Sequence, residues 1–546
     1  GCSADEVNDA VLHRYAEATR VAEQIADRAL VRLLAASDQT AVAVNPTGRE
    51  RSATVAAVIP GDVPPPDTQQ LTVRPSRTRT DSLDPAAAVA VVTRAALEDP
   101  RVSSVELEAA TDGSGDWIAT VVADHRPKDI DQTALRDRLD AIASDPSVRF
   151  VHLEVQRLEA TQEVLLRTAP IPGFGWRGLA PADLGDHAVR PHGGGLTNGL
   201  VTVEVDQSDG TFSLDGIVGY GRLVDDGDAG DTYNWSPPPG DQVVSRPVDV
   251  DVLVAEAGPV RGRIEIRRTY RWPEAVVDDH RVGEVEVVVL TVVEVHACED
   301  LVRVSVSFDN RSRDHRLRVL LPLPERSDRS AAECAFAVVE RGLDAEGGPN
   351  EAGLPTFPSR RFVEAGGLLV VHDGLCEYEL VDVEGEGEQR GAGALALTLI
   401  RSVGLISNGP MAMRALPAGP PLPTPAAQMP GLHEARFVLH RGGRDPYAVA
   451  DESFTPIRTA RRPGGFGDSS SSGQGLDVKG AEVTALRRGR DGRLELRVLN
   501  SSGDRRTFSV TGRTGRFVDL AGEPTGEIFQ GSAELGPWKI ATLQLD

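Results

Sequence analysis

The fold is decided by the stretch Val260-Arg-Gly-Arg-Ile-Glu-Ile-Arg-Arg-Thr-Tyr270 and by its neighbour Gly283-Glu-Val-Glu-Val-Val-Val-Leu-Thr-Val-Val-Glu-Val-His296. Long alternating runs of this kind are typical of strands in a large antiparallel sheet. Upstream, two shorter alternating runs span Gly199 to Leu214, around the turn-forming residues Gln207-Ser-Asp-Gly210, and predict a hairpin. The sequence therefore predicts a large antiparallel β-sandwich over residues 196–455.

A polar and aromatic loop lies between the predicted strands, with the sequence Asp228-Ala-Gly-Asp-Thr-Tyr-Asn-Trp-Ser-Pro-Pro238. Its position between strands puts it at the rim of the sandwich, where a rigid scaffold often carries binding residues. Carboxylate and amide groups can bind sugar hydroxyls, and aromatic faces can pack on sugar C–H surfaces. The loop is therefore a candidate sugar-binding element. The alternative is an acidic surface loop closed by prolines.

Composition limits the class of protein. The 546 residues exceed one ordinary core, so several domains are expected. A net charge of −24 argues against a nucleic-acid surface, and no apolar run approaches the roughly 18 residues of a membrane span. Four scattered cysteines indicate neither a zinc knuckle nor a disulfide framework, which favours a reducing cytoplasm; they are Cys2, Cys298, Cys334 and Cys376.

The chain opens with a predicted helix. Ser3 and Glu6 have the spacing of a capping box, and the helix they predict runs from about Ala4 to Ala36. Apolar residues recur every three or four positions along it: Val7, Val11, Ala18, Val21, Ile25, Ala29 and Leu33. At ~1.5 Å per residue the helix is about 50 Å long, and no neighbouring helix covers its stripe. We predict that residues 1–37 are the remnant of a helical bundle whose other members lie upstream; an oligomer or a sheet could also cover the stripe.

The remaining chain divides by pattern. Residues 38–180 predict a small β domain with an α+β insert at about 68–158, whose β-α-β-β-α-β order is the split βαβ signature. His125 and His152 within it are expected to be surface or satisfied histidines. The Gly- and Ser-rich residues 456–477 predict a flexible linker or loop. Short strands over residues 478–546 predict a small terminal β domain.

Several motifs, in order, resemble the class II α-mannosidases of glycoside hydrolase family 38, in particular their bacterial branch. The likeness covers nearly the whole chain, and each motif alone would be weak. The motifs are Gly1-Cys-Ser-Ala-Asp-Glu-Val7, Val44-Asn-Pro46, Leu196-Thr-Asn-Gly199, Asp209-Gly-Thr211, the loop from Gly227 to Pro238, Asn310-Arg-Ser-Arg-Asp-His-Arg-Leu-Arg318, Asp373-Gly-Leu-Cys-Glu-Tyr378, Leu397-Thr-Leu-Ile-Arg-Ser-Val403 and Gly536-Pro-Trp-Lys-Ile-Ala-Thr-Leu543.

The resemblance implies the C-terminal portion of a retaining exo-α-mannosidase, with a mutarotase-like sandwich. Such an enzyme uses an Asp nucleophile and a carboxylic acid that later acts as the base. The family also uses a zinc ion, which orients the sugar hydroxyls. The catalytic barrel that would carry these groups is missing, so we assign no nucleophile, acid or metal ligand in this chain and expect it to be inactive alone. The family often forms oligomers, and the bacterial likeness supports a cytoplasmic location.

Four residues are candidates for sugar contact by this resemblance: Asp231, Tyr233 and Asn234 in the rim loop, and Arg401 at the same mouth. Tyr233 could instead be a hydrogen-bonded corner residue, and Arg401 could be paired with a carboxylate inside the domain. Asp314 and His315 look like a catalytic pair, but Arg316 and Arg318 beside them favour a structural turn within a charge network.

Three hypotheses follow. The first is the C-terminal portion of a zinc-dependent α-mannosidase acting on α-mannosides. The second is a carbohydrate-binding or assembly module without catalysis. The third is a self-contained enzyme on a mutarotase-like sandwich, in which His296 and Glu294 act as acid and base, because residues i and i+2 of a strand face the same side.

Overall fold

Antiparallel sheets dominate the chain, as the alternating stretches predicted. The computed structural model describes residues 4–99, 102–111, 113–123, 130–157, 160–382, 390–462, 464–489 and 491–546. Over these ranges the helices are α1 (Asp5–Ala36), α2 (Pro85–Glu98), α3 (Gln132–Ser144) and α4 (Pro446–Phe454), with 3₁₀ turns at Gly185–His187 and Pro425–Gln428. None of the helices in these ranges is long and apolar enough to cross a bilayer.

Helix α1 is largely uncovered. It begins at Asp5 with Ala4 as its N-cap; Ser3, the predicted cap, lies outside the described residues. Leu34 is the buried residue of the helix, whose last turns lie near the strands Ala41–Asn45 and Arg458–Arg461. Large apolar side chains along the rest of the helix are exposed: Val7, Leu12, Tyr15, Val21, Ile25 and Val31. Most of the predicted apolar stripe is therefore uncovered within the described chain, while Val11 and Leu33 are half-buried.

The small β domain is built from both ends of the sequence. Its four-stranded sheet has the order Arg458–Arg461, Ala41–Asn45, Gly175–Gly178, Ser472–Gln474. Its three-stranded sheet has the order Thr54–Pro60, Thr161–Arg167, Thr68–Arg74.

The prediction of a flexible linker or loop over residues 456–477 needs correction, because this segment supplies two of the four strands of the sheet. Glycines on both sides of the contact serve close packing. A Cβ on Gly467 of this segment would lie 2.2 Å from the Ala41 carbonyl oxygen, and a Cβ on Gly178 of the neighbouring strand would lie 2.0 Å from the Asp468 carbonyl oxygen. Glycine lets two backbones approach at such distances, and composition alone does not separate that use from flexibility.

The insert keeps the predicted element order but differs in strand adjacency. Its sheet has the order Arg77–Leu83, Val151–Arg157, Trp117–Ala123, Val102–Ala109. The last two strands of the insert in sequence, Trp117–Ala123 and Val151–Arg157, are parallel neighbours. No strand lies between them, so this second βαβ unit is not split, in contrast to the prediction. The predicted opening strand also differs, since Thr68–Arg74 pairs with Thr161–Arg167 of the small β domain.

The sandwich contains the two long strands that decided the fold class, paired along their length from Arg261↔His296 to Trp272↔Val285. Its nine-stranded sheet has the order Asp249–Ala257, Arg261–Trp272, Val285–His296, Val302–Asn310, Gly431–Arg441, Leu368–Asp373, Phe362–Ala365, Arg329–Cys334, Ala337–Gly342. Its five-stranded sheet has the order Arg222–Gly227, His315–Ser327, Ala392–Ser402, Glu377–Val381, Thr356–Pro358.

A five-stranded meander leads into these sheets: Arg190–His192, Gly195–Thr197, Thr202–Val205, Phe212–Leu214 and Ile217–Tyr220. The predicted hairpin is present, with Thr202–Val205 paired to Phe212–Leu214. A short hairpin, Ala275–Val277 with His280–Val282, forms a separate two-stranded sheet. One apolar core joins the meander and both large sheets, and α4 packs on the strand Leu368–Asp373.

The terminal domain, residues 478–546, has two sheets and its own core. One sheet has the order Val478–Lys479, Arg506–Val510, Ser532–Leu535. The other has the order Glu482–Arg488, Leu494–Leu499, Ile540–Leu545, Gly515–Val518, Pro524–Phe529. The cysteines that the structure describes, Cys298, Cys334 and Cys376, are free thiols; Cys2 lies outside the described residues.

Candidate functional site

The rim loop (228–238) begins where the edge strand Arg222–Gly227 ends. Asp228 is buried there, and its Oδ1 accepts hydrogen bonds from the backbone N–H groups of Gly230 and Ser236 at 3.0 and 3.1 Å. Its Oδ2 accepts one from Arg401 Nε at 2.8 Å. Burial raises the pKa of Asp228 to about 6, against the opposing effect of the Arg401 guanidinium. Asp228 therefore anchors the start of the loop.

Asp231 holds the loop to a second segment, residues 403–430, which we call the covering segment. Its Oδ1 accepts the N–H groups of Tyr233 and Asn234 at 2.9 and 3.0 Å. Its Oδ2 accepts the N–H of Asn408 at 2.7 Å and the guanidinium of Arg414. Burial alone would raise the pKa of Asp231, but the hydrogen bonds outweigh it and hold the pKa below its usual value. Asp231 is therefore an ionised clamp.

Further bonds fasten the covering segment along the loop. Thr232 Oγ1 donates to the Ile406 carbonyl at 2.8 Å, and Asn408 Nδ2 donates to the Ala229 carbonyl at 3.1 Å. The covering segment also reaches α1, because the N–H of Ala426 donates to Asp5 Oδ2 at 3.0 Å. The start of α1 thus lies beside the rim.

Tyr233 is the exposed residue of the rim loop. Arg414 donates to the carbonyl oxygen of the Asn234 side chain, and its guanidinium carbon lies 5.9 Å from the centre of the Tyr233 ring. The Asn234 amide nitrogen in turn donates to the Glu351 carboxylate. Asn234 is buried, whereas Tyr233 is 57% exposed. The loop thus presents one aromatic ring on a tightly bonded base.

A charge network supports the loop from behind. The Arg316 guanidinium lies 3.9 Å from the centre of the Trp235 ring and donates to Asp226 at 2.8 Å. Arg318 donates to Asp226 and to Glu379, each at 2.9 Å. The network predicted for Arg316 and Arg318 is confirmed, and it fixes Trp235 against the sheet.

Asp314 and His315 are structural, as predicted. Asp314 has a positive φ of 54° just before the strand His315–Ser327. The fully buried His315 ring has Nδ1 2.6 Å from Asp225 Oδ1 and Nε2 3.1 Å from Asn310 Oδ1. Both ring nitrogens are therefore occupied within the sandwich.

The four predicted sugar-contact residues lie close together in the structure, but they differ in solvent exposure. Asp231 and Asn234 are buried, and Arg401 donates to Asp228 and to the Asp231 carbonyl. The carboxylate pairing considered for Arg401 is thus present. Sugar contact stays a prediction, and by exposure it falls chiefly on Tyr233. Sequence reasoning missed Arg414 and Asn408, which lie in an irregular segment without periodicity.

His296 and Glu294 lie on the same strand face, as their spacing predicted. His296 Nε2 is 3.5 Å from Glu294 Oε2, and Nδ1 is 3.9 Å from Glu299 Oε2. Burial, together with the charge of Arg303, lowers the pKa of His296. Glu299 is also paired with Arg167 of the small β domain. The pair is therefore part of a buried charge cluster between domains.

Within the part of the chain that the structure describes, no group of three or more His, Cys, Asp and Glu side chains could hold a metal ion. The described residues thus do not form a zinc site of the kind that the family resemblance implies.

One curated protein and two solved structures resemble this chain. No family model matches the chain. A protein of Halalkalibacterium halodurans named "Putative mannosylglycerate hydrolase" is 25% identical over an alignment of 339 positions that covers 54% of this chain and 35% of the relative. The chain therefore spans about a third of the length of this curated relative.

Two solved structures share the fold. One is an α-mannosidase from Enterococcus faecalis V583, with a TM-score of 0.68 and 18% identity; the likeness covers 100% of this chain and 61% of the other. The second is a protein of glycosyl hydrolase family 38 from Enterococcus faecalis, with a TM-score of 0.66, 17% identity and coverage of 100% and 64%. The resemblance to the class II α-mannosidases of glycoside hydrolase family 38 is thus confirmed, and this chain has their fold over its whole length and over about three fifths of theirs.

Proposed function

We propose that this chain is the C-terminal part of a retaining, zinc-dependent exo-α-mannosidase and provides one wall of its sugar site. The nucleophile, the acid and the zinc ligands would belong to a catalytic barrel that precedes it. The chain by itself would then be inactive towards α-mannosides.

The proposal rests on where α1 begins. Its first turn is bonded to the covering segment through Asp5 and Ala426, so α1 starts at the segment that covers the rim loop. A catalytic part attached there would meet Tyr233. The apolar side of α1, exposed in this chain, offers a surface for that part to pack on.

Tyr233 is suited to a positioning role at such a site. Its phenol can donate and accept hydrogen bonds, and its ring can pack on a sugar face. Two buried clamps, Asp228 and Asp231, hold the backbone beneath it, so the position of the backbone that carries the ring is fixed before substrate arrives. Preorganisation of this kind lowers the entropic cost of orienting a substrate.

The test compares this chain with the same chain extended upstream through the barrel. Hydrolysis of 4-nitrophenyl α-mannoside is measured with added zinc, before and after chelation. We expect activity in the extended form, loss on chelation and recovery on zinc addition. Activity in this chain alone would contradict the proposal and direct attention to His296 and Glu294.

The role of Tyr233 is tested in the extended form. Because one neutral hydrogen bond contributes about 0.5–1.5 kcal/mol, Tyr233→Phe should lower kcat/KM about three- to tenfold. Thr80→Val removes an exposed hydroxyl from the strand Arg77–Leu83 of the insert and serves as the control. Equal rates for the two variants would show that the Tyr233 hydroxyl does not touch the sugar.

A further inference from the structure

A cavity lies away from the rim, where the small β domain, the sandwich and the terminal domain meet. It is a cleft of about 1550 Å³ and shares no lining residue with the rim loop or the covering segment. The volume exceeds the roughly 300–1,000 Å³ of pockets for small ligands. The cleft is therefore large enough for a ligand of several units.

Three aromatic residues with a left-handed backbone line this cleft, one from each domain: Phe174, Phe336 and Trp538, with φ of 46°, 61° and 54°. They are the aromatic residues of positive φ in the described ranges. A bulky residue in this conformation is an outlier that costs free energy, and such residues cluster at functional sites. Phe174 also packs on the core of the terminal domain, which leaves Phe336 and Trp538 as the candidates for contact.

Both candidates occupy turn positions that favour glycine. Phe336 is the second residue of the two-residue loop between the strands Arg329–Cys334 and Ala337–Gly342. Trp538 follows Pro537 in a turn closed by the Lys539 N–H, which donates to the Gly536 carbonyl at 3.3 Å. Glycine or asparagine is usual at these positions. Phe336 is 39% exposed, so neither turn geometry nor burial accounts for its ring.

Paired polar groups complete the cleft. Arg361 donates two hydrogen bonds to Glu333 at 2.7 Å, and Arg49 donates to Glu482 at 2.8 Å. The hydroxyl of the buried Tyr447, also in the lining, has no hydrogen-bond partner in the described structure. Guanidinium and carboxylate groups side by side can donate to and accept from hydroxyl groups.

The charge of the lining narrows the class of ligand. Eight carboxylates and five cationic side chains line the cleft, so a polyanion such as a nucleotide or a polyphosphate would be repelled. A neutral ligand rich in hydroxyls and with apolar ring faces fits both the paired charges and the aromatic rings.

We infer that the cleft binds an oligosaccharide, with Phe336 and Trp538 packed on sugar faces and the Arg361–Glu333 pair facing hydroxyl groups. The choice of mannose as the sugar rests on the proposed function. Binding in this cleft would hold a glycan at a point remote from the rim.

The test titrates the chain as it stands with an α-linked mannotriose, followed by calorimetry and tryptophan fluorescence. Saturable binding is expected for the unchanged protein. Phe336→Gly should weaken binding at least tenfold while the Tm stays level or rises, because glycine adopts the positive φ without strain. A merely structural ring would instead lower the Tm. Ile528→Ala removes an exposed apolar side chain outside the cleft and should change neither quantity.

Failure of this inference is distinguishable from failure of the proposed function. The mannotriose titration uses this chain alone, whereas hydrolysis of 4-nitrophenyl α-mannoside is measured in the extended form, so each result is read without the other. Absence of mannotriose binding, or equal affinity after Phe336→Gly, would overturn the oligosaccharide cleft. Hydrolysis by the extended form would still decide the proposed function.

Discussion

Arg401 meets Asp228 at 2.8 Å beneath the rim loop, in an ion pair whose carboxylate is fully buried. Removing one partner of a buried pair leaves an uncompensated charge, which costs about 3–5 kcal/mol. Arg401→Leu should therefore lower the free energy of unfolding by about that amount, measured by urea titration of the sandwich. Arg311→Leu is the matched control, because Arg311 meets Asp309 at the same 2.8 Å on the surface and an exposed pair contributes at most about 1 kcal/mol. Equal losses would contradict a special role for the buried pair.

Arg414 joins the covering segment to the rim loop, since it contacts Asp231, Asn234 and the Tyr233 ring. Arg414→Ala should loosen both segments, so amide hydrogen exchange should quicken over residues 229–236 and 405–418. The core strands should keep their protection. Arg436→Ala, which removes an exposed pair with Asp373, should leave the exchange of the loop unchanged. Unaltered exchange after Arg414→Ala would show that the remaining bonds suffice.

His372 gives the sandwich a pH dependence. The ring is buried, Nε2 lies 2.8 Å from Ser359 Oγ, and burial lowers its pKa to about 4. The unfolded chain takes up this proton near pH 6.5, so the contribution of His372 to stability is lost as the pH falls from about 6.5 to 4. The loss should reach roughly 3 kcal/mol at pH 4. His372→Gln should flatten the curve of unfolding free energy against pH in this window. A parallel curve for the variant would refute the assignment.

The exposed stripe of α1 predicts a weakly held helix in this chain. An isolated helix gains most of its stability from packing of its apolar face, and here Leu12, Tyr15 and Ile25 are exposed. Amides of residues 5–25 should exchange rapidly in this chain and slowly in the upstream-extended form. Leu12→Ser with Ile25→Ser should reduce that protection in the extended form. Equally slow exchange in both forms would mean that α1 needs no upstream partner.

Much of the architecture is readable from the sequence because its signals are local. The strands Arg261–Trp272 and Val285–His296 are recognisable from their alternation, and the Thr202–Leu214 hairpin follows from its turn residues. The rim loop is recognisable because its turn formers and aromatics are consecutive. In each case neighbouring residues decide the structure.

The parts that were not predicted depend on partners distant in sequence. Arg401 reaches Asp228 only because the strand His315–Ser327 lies between their two strands in one sheet. Arg414 is a single cation in a segment without periodicity, and only the folded chain places it on Asp231. The order of the insert strands and the pairing of residues 458–461 are likewise set by the tertiary structure.

The sheet that joins Ala41–Asn45 to Arg458–Arg461 and Ser472–Gln474 has a consequence for biosynthesis. During translation the strand Ala41–Asn45 leaves the ribosome more than four hundred residues before the strand Arg458–Arg461 with which it pairs. Pairing between strands so distant in sequence is slow to form. The sandwich, complete within the intervening sequence, can fold first, and its folding brings the two ends of the sheet together. The strands Arg458–Arg461 and Ser472–Gln474 then complete the sheet. A nascent chain halted before residue 458 would therefore expose the unpaired edge of Ala41–Asn45, a surface prone to aggregation.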